Sequence, residues 1–184
     1  MNRRNFYILV ASICIALTAF WLTIYAVITL DVNPFQDPNI IKINGSGVKG
    51  EITININELK SSKYSQIIDE KFFFENRVGN TYEKVYSGVS LWSIIEVEDI
   101  LNDDPNALTF ILWGRDAYRS PQPLNLSIAK NYSNLVIIAY AENGYPLFGD
   151  GPLRSALNQS VMPLGEVSSQ YSVQQLSSIE INYY

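Results

Sequence analysis

Hydrophobic and polar positions divide the 184-residue chain into two parts of different rhythm. Residues 6–30 read FYILVASICIALTAFWLTIYAVITL, 25 positions without a charge. At about 1.5 Å per residue a helix of that length covers a hydrocarbon core of roughly 30 Å, so the pattern predicts one N-terminal transmembrane helix. Arg3 and Arg4 are the only charges before it, within a stub at 1–5, and Asp31 follows directly. The bias of basic residues toward the cytoplasm then puts the N-terminus inside the cell membrane and the rest of a single-pass chain outside. Trp21 and Tyr25 suit an interfacial anchor at the outer end. A cleaved signal peptide is the alternative, against which stand the length of the run and the lack of a small-x-small site before Asp31. Residues 31–39, DVNPFQDPN, carry two prolines and no periodicity, and read as an extended linker.

From residue 40 the rhythm shortens. Alternating or β-rich stretches at 40–43, 51–57, 71–75, 81–86, 107–113, 134–141 and 178–184 predict strands. Helical spacing is confined to 57–64, to 89–101, and to 124–130. In the second of these, Ser90 is placed to cap a helix that sets Leu91, Ile94 and Ile95 on one face. Asn143-Gly144 is placed for a tight turn with positive φ. Strands interspersed with a few short helices, without a regular βαβ repeat, predict an α+β domain over 40–184. That length supports one core and not two.

Charge and residue types then remove most chemistries. The chain has 13 basic and 18 acidic residues; beyond residue 30 the balance is 11 against 18, a net of −7. No basic run tracks a phosphate backbone, so nucleic acid is not an expected partner. There is no histidine and one cysteine, Cys14, inside the apolar run. Serine-histidine catalysis, imidazole metal sites, an intramolecular disulfide and thiolate clusters are thereby excluded, and no metal site is expected. Asp103-Asp104 and Glu98-Asp99 read as solvated carboxylates. The glycine-rich pieces NGSG and GDG lack the lysine-serine end of a nucleotide loop. Calcium near 148–151, with Asn143 and Asp150, lacks the repeated acidic ligands of a cage. Asn-x-Ser triplets at Asn44, Asn125, Asn131 and Asn158 are acceptors if the host glycosylates exported chains, although a sequence rich in Asn and Ser makes several by chance.

Five pieces stand in a telling order: INGSGVKGEITININELKSSKY (43–64), YSGVSLWSII (86–95), LTFILWGRDAYRSPQPLNLSI (108–128), NLVIIAYAENGYPLFGDGPLR (134–154) and QQLSSIEI (174–181). Together they resemble the molybdopterin-binding domain of the sulfite oxidase family. The resemblance implies a sulfite-oxidase-type mixed β-sheet domain. It also implies molybdenum held by one cysteine thiolate just before the second piece, where this chain reads EKFFFENRVGNTY (70–82), with Phe73 or Phe74 near the place. A histidine of the family is replaced within 148–151, and a lysine that neutralises the pterin phosphate corresponds to Gln174. No cofactor is therefore expected, and molybdopterin is disfavoured.

Tyr118 falls where the family has an active-site tyrosine, flanked by Arg115 and Arg119, a cluster suited to a small anionic ligand. The plainer reading is a turn with solvated arginines. Arg154 is either a further ligand contact or a buried arginine paired with Asp116 or Asp150. Trp92 and Trp113 read as core. No catalytic residue is assigned. The favoured function is a membrane-anchored, extracytoplasmic ligand-binding or interaction module, with the vacated pterin pocket narrowed by Phe72, Phe73 and Phe74 and a small anion or a membrane protein as its partner. The alternatives are a molybdopterin-dependent oxidoreductase with non-cysteine coordination, and a structural subunit of a membrane complex.

Overall fold

A single helix, α1 (Arg3–Thr29), takes up the apolar run in the computed structural model, which describes residues 2–29, 37–147 and 151–184. The chain separates into two units, Met1–Gln36 and Asp37–Tyr184. In α1 the hydroxyls of Ser12, Thr18 and Thr23 donate to the carbonyls of Ile8, Cys14 and Ala19, which satisfies them within the helix. Ile13, Ile15, Phe20 and Leu22 are exposed and, at 100° per residue, point in different directions around it. Among the described residues no helix is long and apolar enough to cross a membrane. The expected span over 6–30 is thus not supported by the structure, and the helix begins at Arg3, within the expected stub at 1–5. Most of the expected linker, 31–36, lies outside the described residues. Residues 37–39 form a turn of the second unit, which therefore starts earlier than residue 40.

The second unit is the mixed α+β domain the pattern predicts, built on two five-stranded sheets. In the first, β2 (Ile52–Asn55), β1 (Ile40–Asn44), β10 (Leu176–Tyr183), β5 (Leu108–Gly114) and β6 (Leu124–Asn125) lie in that order. β1 and β10 run parallel, with Lys42 opposite Ser178 and Asn44 opposite Glu180. Strict alternation drives β1 into place, since Ile41 and Ile43 are buried while Lys42 is half-exposed. The second sheet orders β3 (Gln66–Glu75), β4 (Thr81–Ser90), β7 (Val136–Glu142) and β8 (Tyr145–Pro146), and β9 (Arg154–Leu157) pairs with β7. β7 is buried on both faces: Ile138 joins the main core with Ile41, Ile94, Phe110 and Ile179, whereas Ile137 and Ala139 join a second cluster with Phe72, Phe74 and Tyr86.

Local chemistry explains where elements start and stop. Ser90 caps α3 (Leu91–Glu98), its Oγ accepting from Ser93 N, and Leu91, Ile94 and Ile95 are the buried face. Asn143 and Gly144 take φ of 52° and 76° in the β7–β8 turn. β2 is shorter than expected because the Asn55 side chain accepts from Glu58 N and starts α2 (Ile56–Leu59). That helix lasts one turn, not 57–64, because Ser61 Oγ takes the Glu58 carbonyl. The third helix, α4 (Ser127–Asn131), starts three residues later than expected, since the preceding Leu124 and Asn125 pair with Phe110 and Thr109 as β6. β3 begins well before residue 71 and bulges between Ile67 and Glu70, with Asp69 at φ 51° and its N–H donating to Ser87 Oγ.

An ionic knot joins the end of α2 to α3. Lys63 Nζ lies 2.7 Å from Glu58 and 2.6 Å from Glu98, and Tyr64 donates to Glu98. Hydrogen bonds from Lys63 first and Tyr64 second hold the Glu98 carboxyl below its ordinary range. A lowered folded value means the knot's contribution is complete above the unfolded glutamate value of about 4.3 and fades as pH falls through the folded one. Denaturation midpoints measured from pH 7 to pH 3 should show that acid loss in the native chain and a shallower one in Glu98→Gln; identical slopes would remove the role.

Candidate functional site

The loop after β5 is tight because its backbone leaves no room for anything larger. A Cβ on Gly114 would stand 2.6 Å from Asp116 Oδ1 and 2.9 Å from Gln174 O. Gly114 N donates to Tyr118 O at 2.8 Å, Tyr118 N donates to Asp116 Oδ1 at 3.0 Å, and Ala117 is held at φ 63°. From this loop the three expected side chains fan outward instead of converging.

Arg115 turns back to the start of the domain. Its Nη2 donates to Asp37 O at 2.8 Å and Ile40 O at 3.4 Å, while its own N–H donates to Gln175 O at 3.1 Å. Burial lowers the guanidinium's affinity for its proton, with Asp37 opposing. The side chain is therefore a fastener of the entering chain, not an open anion ligand. Arg119 lies over the Trp113 ring, 5.6 Å from its centroid, and Trp113 Nε1 donates to Glu180 Oε2 at 3.0 Å. Trp113 is half-buried in this polar arrangement and is not the core residue expected of it; Trp92 does pack against the main core.

Tyr118 is 41% exposed and its hydroxyl donates to Gln170 O at 2.9 Å. Partial burial raises the phenol's pKa, Arg77 lowers it and Asp116 raises it. Arg77 is thus the cation beside Tyr118, and sequence reasoning passed over it. It stands on the tip of the β3–β4 hairpin, where Asn76 Oδ1 accepts from both Val78 N and Asn80 N. With the Gln170 amide oxygen turned toward it, the Arg77 guanidinium also donates to Gln170. Behind this group Tyr171 is fully buried, with its hydroxyl 2.7 Å from Glu166 Oε2. Burial first, and that carboxylate second, keep the phenol protonated.

Arg154 belongs to the other sheet. It is 7% exposed on β9, with Nη1 3.9 Å from Glu142 Oε2 and the guanidinium carbon 5.8 Å from the Tyr86 ring centroid. Lys84 shares Glu142 at 2.9 Å. The arginine's described carboxylate partner is thus Glu142 and not Asp116, whose oxygen is used at Tyr118 N. Asp150, the other expected partner, lies outside the described residues, as does most of the 148–151 segment considered for calcium. Tyr86 is fully buried, and burial is the main cause that raises its phenol.

Phe72, Phe73 and Phe74 do not act as one group. Strand alternation buries Phe72 and Phe74, whose centroids are 6.4 Å apart and which meet Tyr86 edge-on at 6.0 and 6.1 Å. Phe73 points to the other face and is 53% exposed. The segment in which the resemblance implies a metal thiolate is therefore a hairpin whose inward side chains are closely packed aromatics. The chain's one cysteine is in α1, and Gln174 is exposed and brings no charge. Among the described residues no group of three or more Cys, Asp or Glu is disposed to hold a metal. The described residues of that segment thus offer no thiolate, and Arg154 shares Glu142 with Lys84.

No protein-family model matches the chain, and no curated protein matches it at a significant level. Among solved structures, the chain is similar to the crystal structure of the sulfane dehydrogenase SoxCD from Paracoccus pantotrophus, with a TM-score of 0.59 and 15% identity. The match covers 79% of this chain and 39% of that one, so the chain spans well under half of that protein's length. At this identity the likeness establishes a fold: the chain has a distant sulfite-oxidase-like fold, a mixed α+β architecture with two sheets and few short helices.

Proposed function

We propose that the chain is a membrane-anchored, extracytoplasmic module that uses a sulfite-oxidase-like fold as a scaffold for binding and not for molybdenum chemistry. The observation that carries this reading is the burial of Phe72 and Phe74 against Tyr86 in the segment where the family's metal thiolate is implied. Anchoring rests on the sequence of 6–30 and on a simple solvation argument. A helix with large apolar side chains exposed on all sides does not stand in water without lipid or a partner to cover it. With Arg3 and Arg4 on the cytoplasmic side, the domain that follows faces outward.

The binding surface is the junction of three loops that presents Arg77, Tyr118 and Gln170. One exposed guanidinium beside a half-exposed phenol suits a small anion or a carboxylate on a membrane-protein partner. Arg115 and Arg119 leave the same loop as Tyr118 but are engaged by protein groups, and Arg154 lies elsewhere, beside Glu142.

The test is elemental analysis for molybdenum and tungsten, together with pterin fluorescence after oxidation, on full-length protein from a host that makes the cofactor. Folded protein should carry neither at stoichiometric level. Stoichiometric metal and pterin would sink the reading and restore a molybdopterin-dependent oxidoreductase with non-cysteine coordination.

A further inference from the structure

The four Asn-x-Ser triplets are equivalent in sequence and unequal in the fold. Asn158 is 5% exposed, with Oδ1 accepting from Ser160 N at 3.1 Å and Nδ2 donating to Lys71 O at 3.4 Å. Asn125 donates through Nδ2 to Asn106 O at 3.0 Å, and its Oδ1 accepts from both Ser127 N and Ser127 Oγ, so amide and serine hydroxyl are both committed. Asn44 stands in β1 opposite Glu180 of the neighbouring strand, and the hydroxyl of its Ser46 is held by Asn182 Oδ1 at 3.0 Å. A branched sugar on Asn125 or Asn158 would displace native contacts, and at Asn44 the serine hydroxyl of the triplet is already held.

Asn131 differs on each count. It is the last residue of α4 and is exposed; α4 packs through buried Ala129 and through Lys130, which lies over the Trp92 ring. The chain then leaves through a turn closed by Leu135 N donating to Tyr132 O at 2.8 Å, with Tyr132 49% exposed. Among the described residues, no side-chain hydrogen bond occupies Asn131 or Ser133. An acceptor triplet on an exposed turn, with its amide and hydroxyl both available, is what glycosyl transfer to asparagine requires.

We propose that Asn131 is an N-glycosylation site, its donor a polyprenyl-phosphate- or pyrophosphate-linked oligosaccharide. The step is a substitution without redox change. The bond from Asn131 Nδ2 to C1 of the first sugar forms, the C1–O bond to the lipid phosphate breaks, one amide proton goes to a base of the transferase, and the lipid phosphate or pyrophosphate leaves. The proposal rests on the outward-facing reading of the domain, because only an exported chain meets that donor.

The test expresses the full chain in a host that N-glycosylates exported proteins, with a flexible C-terminal extension bearing an Asn-Gly-Thr reporter. Two glycans are expected, both removed by peptide N-glycosidase, with the deamidation mark at position 131 in mass spectra. Asn131→Gln and Ser133→Ala should each remove one glycan, and Asn44→Gln, Asn125→Gln and Asn158→Gln none. A modified reporter with unmodified Asn131 would overturn the site while leaving export intact. A chain unmodified at both places would overturn export and the site with it.

Discussion

Gly45→Ala should cost the domain about 3–5 kcal/mol, a large share of a total stability of order 5–15 kcal/mol. Gly45 has φ of 115°, and a Cβ built there would lie 2.2 Å from Ile181 O and 2.8 Å from Ile181 N and C. All three are backbone atoms of β10, so no side-chain rotation relieves the clash. The carbonyl is also pinned from another direction, accepting from Gly47 N at 2.9 Å. Urea midpoints read the effect, with Gly50→Ala as control, since nothing lies within 4 Å of its Cβ position. The close approach of β1 to β10 would be misplaced if Gly45→Ala changed stability by less than about 1 kcal/mol.

The aromatic cluster supplies the other large effect. Phe74→Ala removes a ring that is 1% exposed, stacked on Tyr82 at 5.4 Å and edge-on to Tyr86 at 6.1 Å. Deleting a buried aromatic side chain in a site that relaxes only in part costs about 3–5 kcal/mol. Phe73→Ala, one residue away on the exposed face, should stay within about 0.5 kcal/mol. This contrast bears on function as well as stability. If Phe74→Ala were as mild as Phe73→Ala, the hairpin interior would be loosely filled, and the argument that aromatic packing occupies the thiolate position would lose its physical basis.

Alternation made β1 and β10 legible in the sequence, β-rich apolar runs did the same for β5 and β7, and a capping serine and an Asn-Gly pair located α3 and the β7–β8 turn. β9 was not legible because its four residues, Arg154–Leu157, carry no β-branched or aromatic side chain and no alternation that would mark a strand. β6 and β8 have two residues each, below the length at which a pattern exists.

The candidate site was legible one residue at a time and not as a constellation. Tyr118 could be picked out as a turn residue between arginines. That Arg115 would reach carbonyls at positions 37 and 40 depends on the placement of a chain entry more than 70 positions away. Arg77 carried only the turn signal of Asn76 and Gly79, which marks a hairpin tip but says nothing of what the tip faces. For the phenylalanines, period-2 spacing held the answer: positions 72 and 74 share a face and 73 does not.

The parallel pairing of β1 with β10 sets the order in which this domain can assemble. β10 lies in the middle of its sheet, between β1 and β5, yet it follows both of them in the chain. Two pieces can form early from nearby sequence, the β1–β2 hairpin and the antiparallel β5–β6 pair. Neither closes the sheet, and each keeps an unsatisfied edge until Leu176–Tyr183 arrives to zip between them. Joining β1 to β10, strands separated by well over 100 positions, carries a high loop-closure cost, so closing this sheet is the slow step of folding. The final strand acts as the keystone, and a chain that stops short of it has two exposed edges suited to pairing with the wrong neighbour.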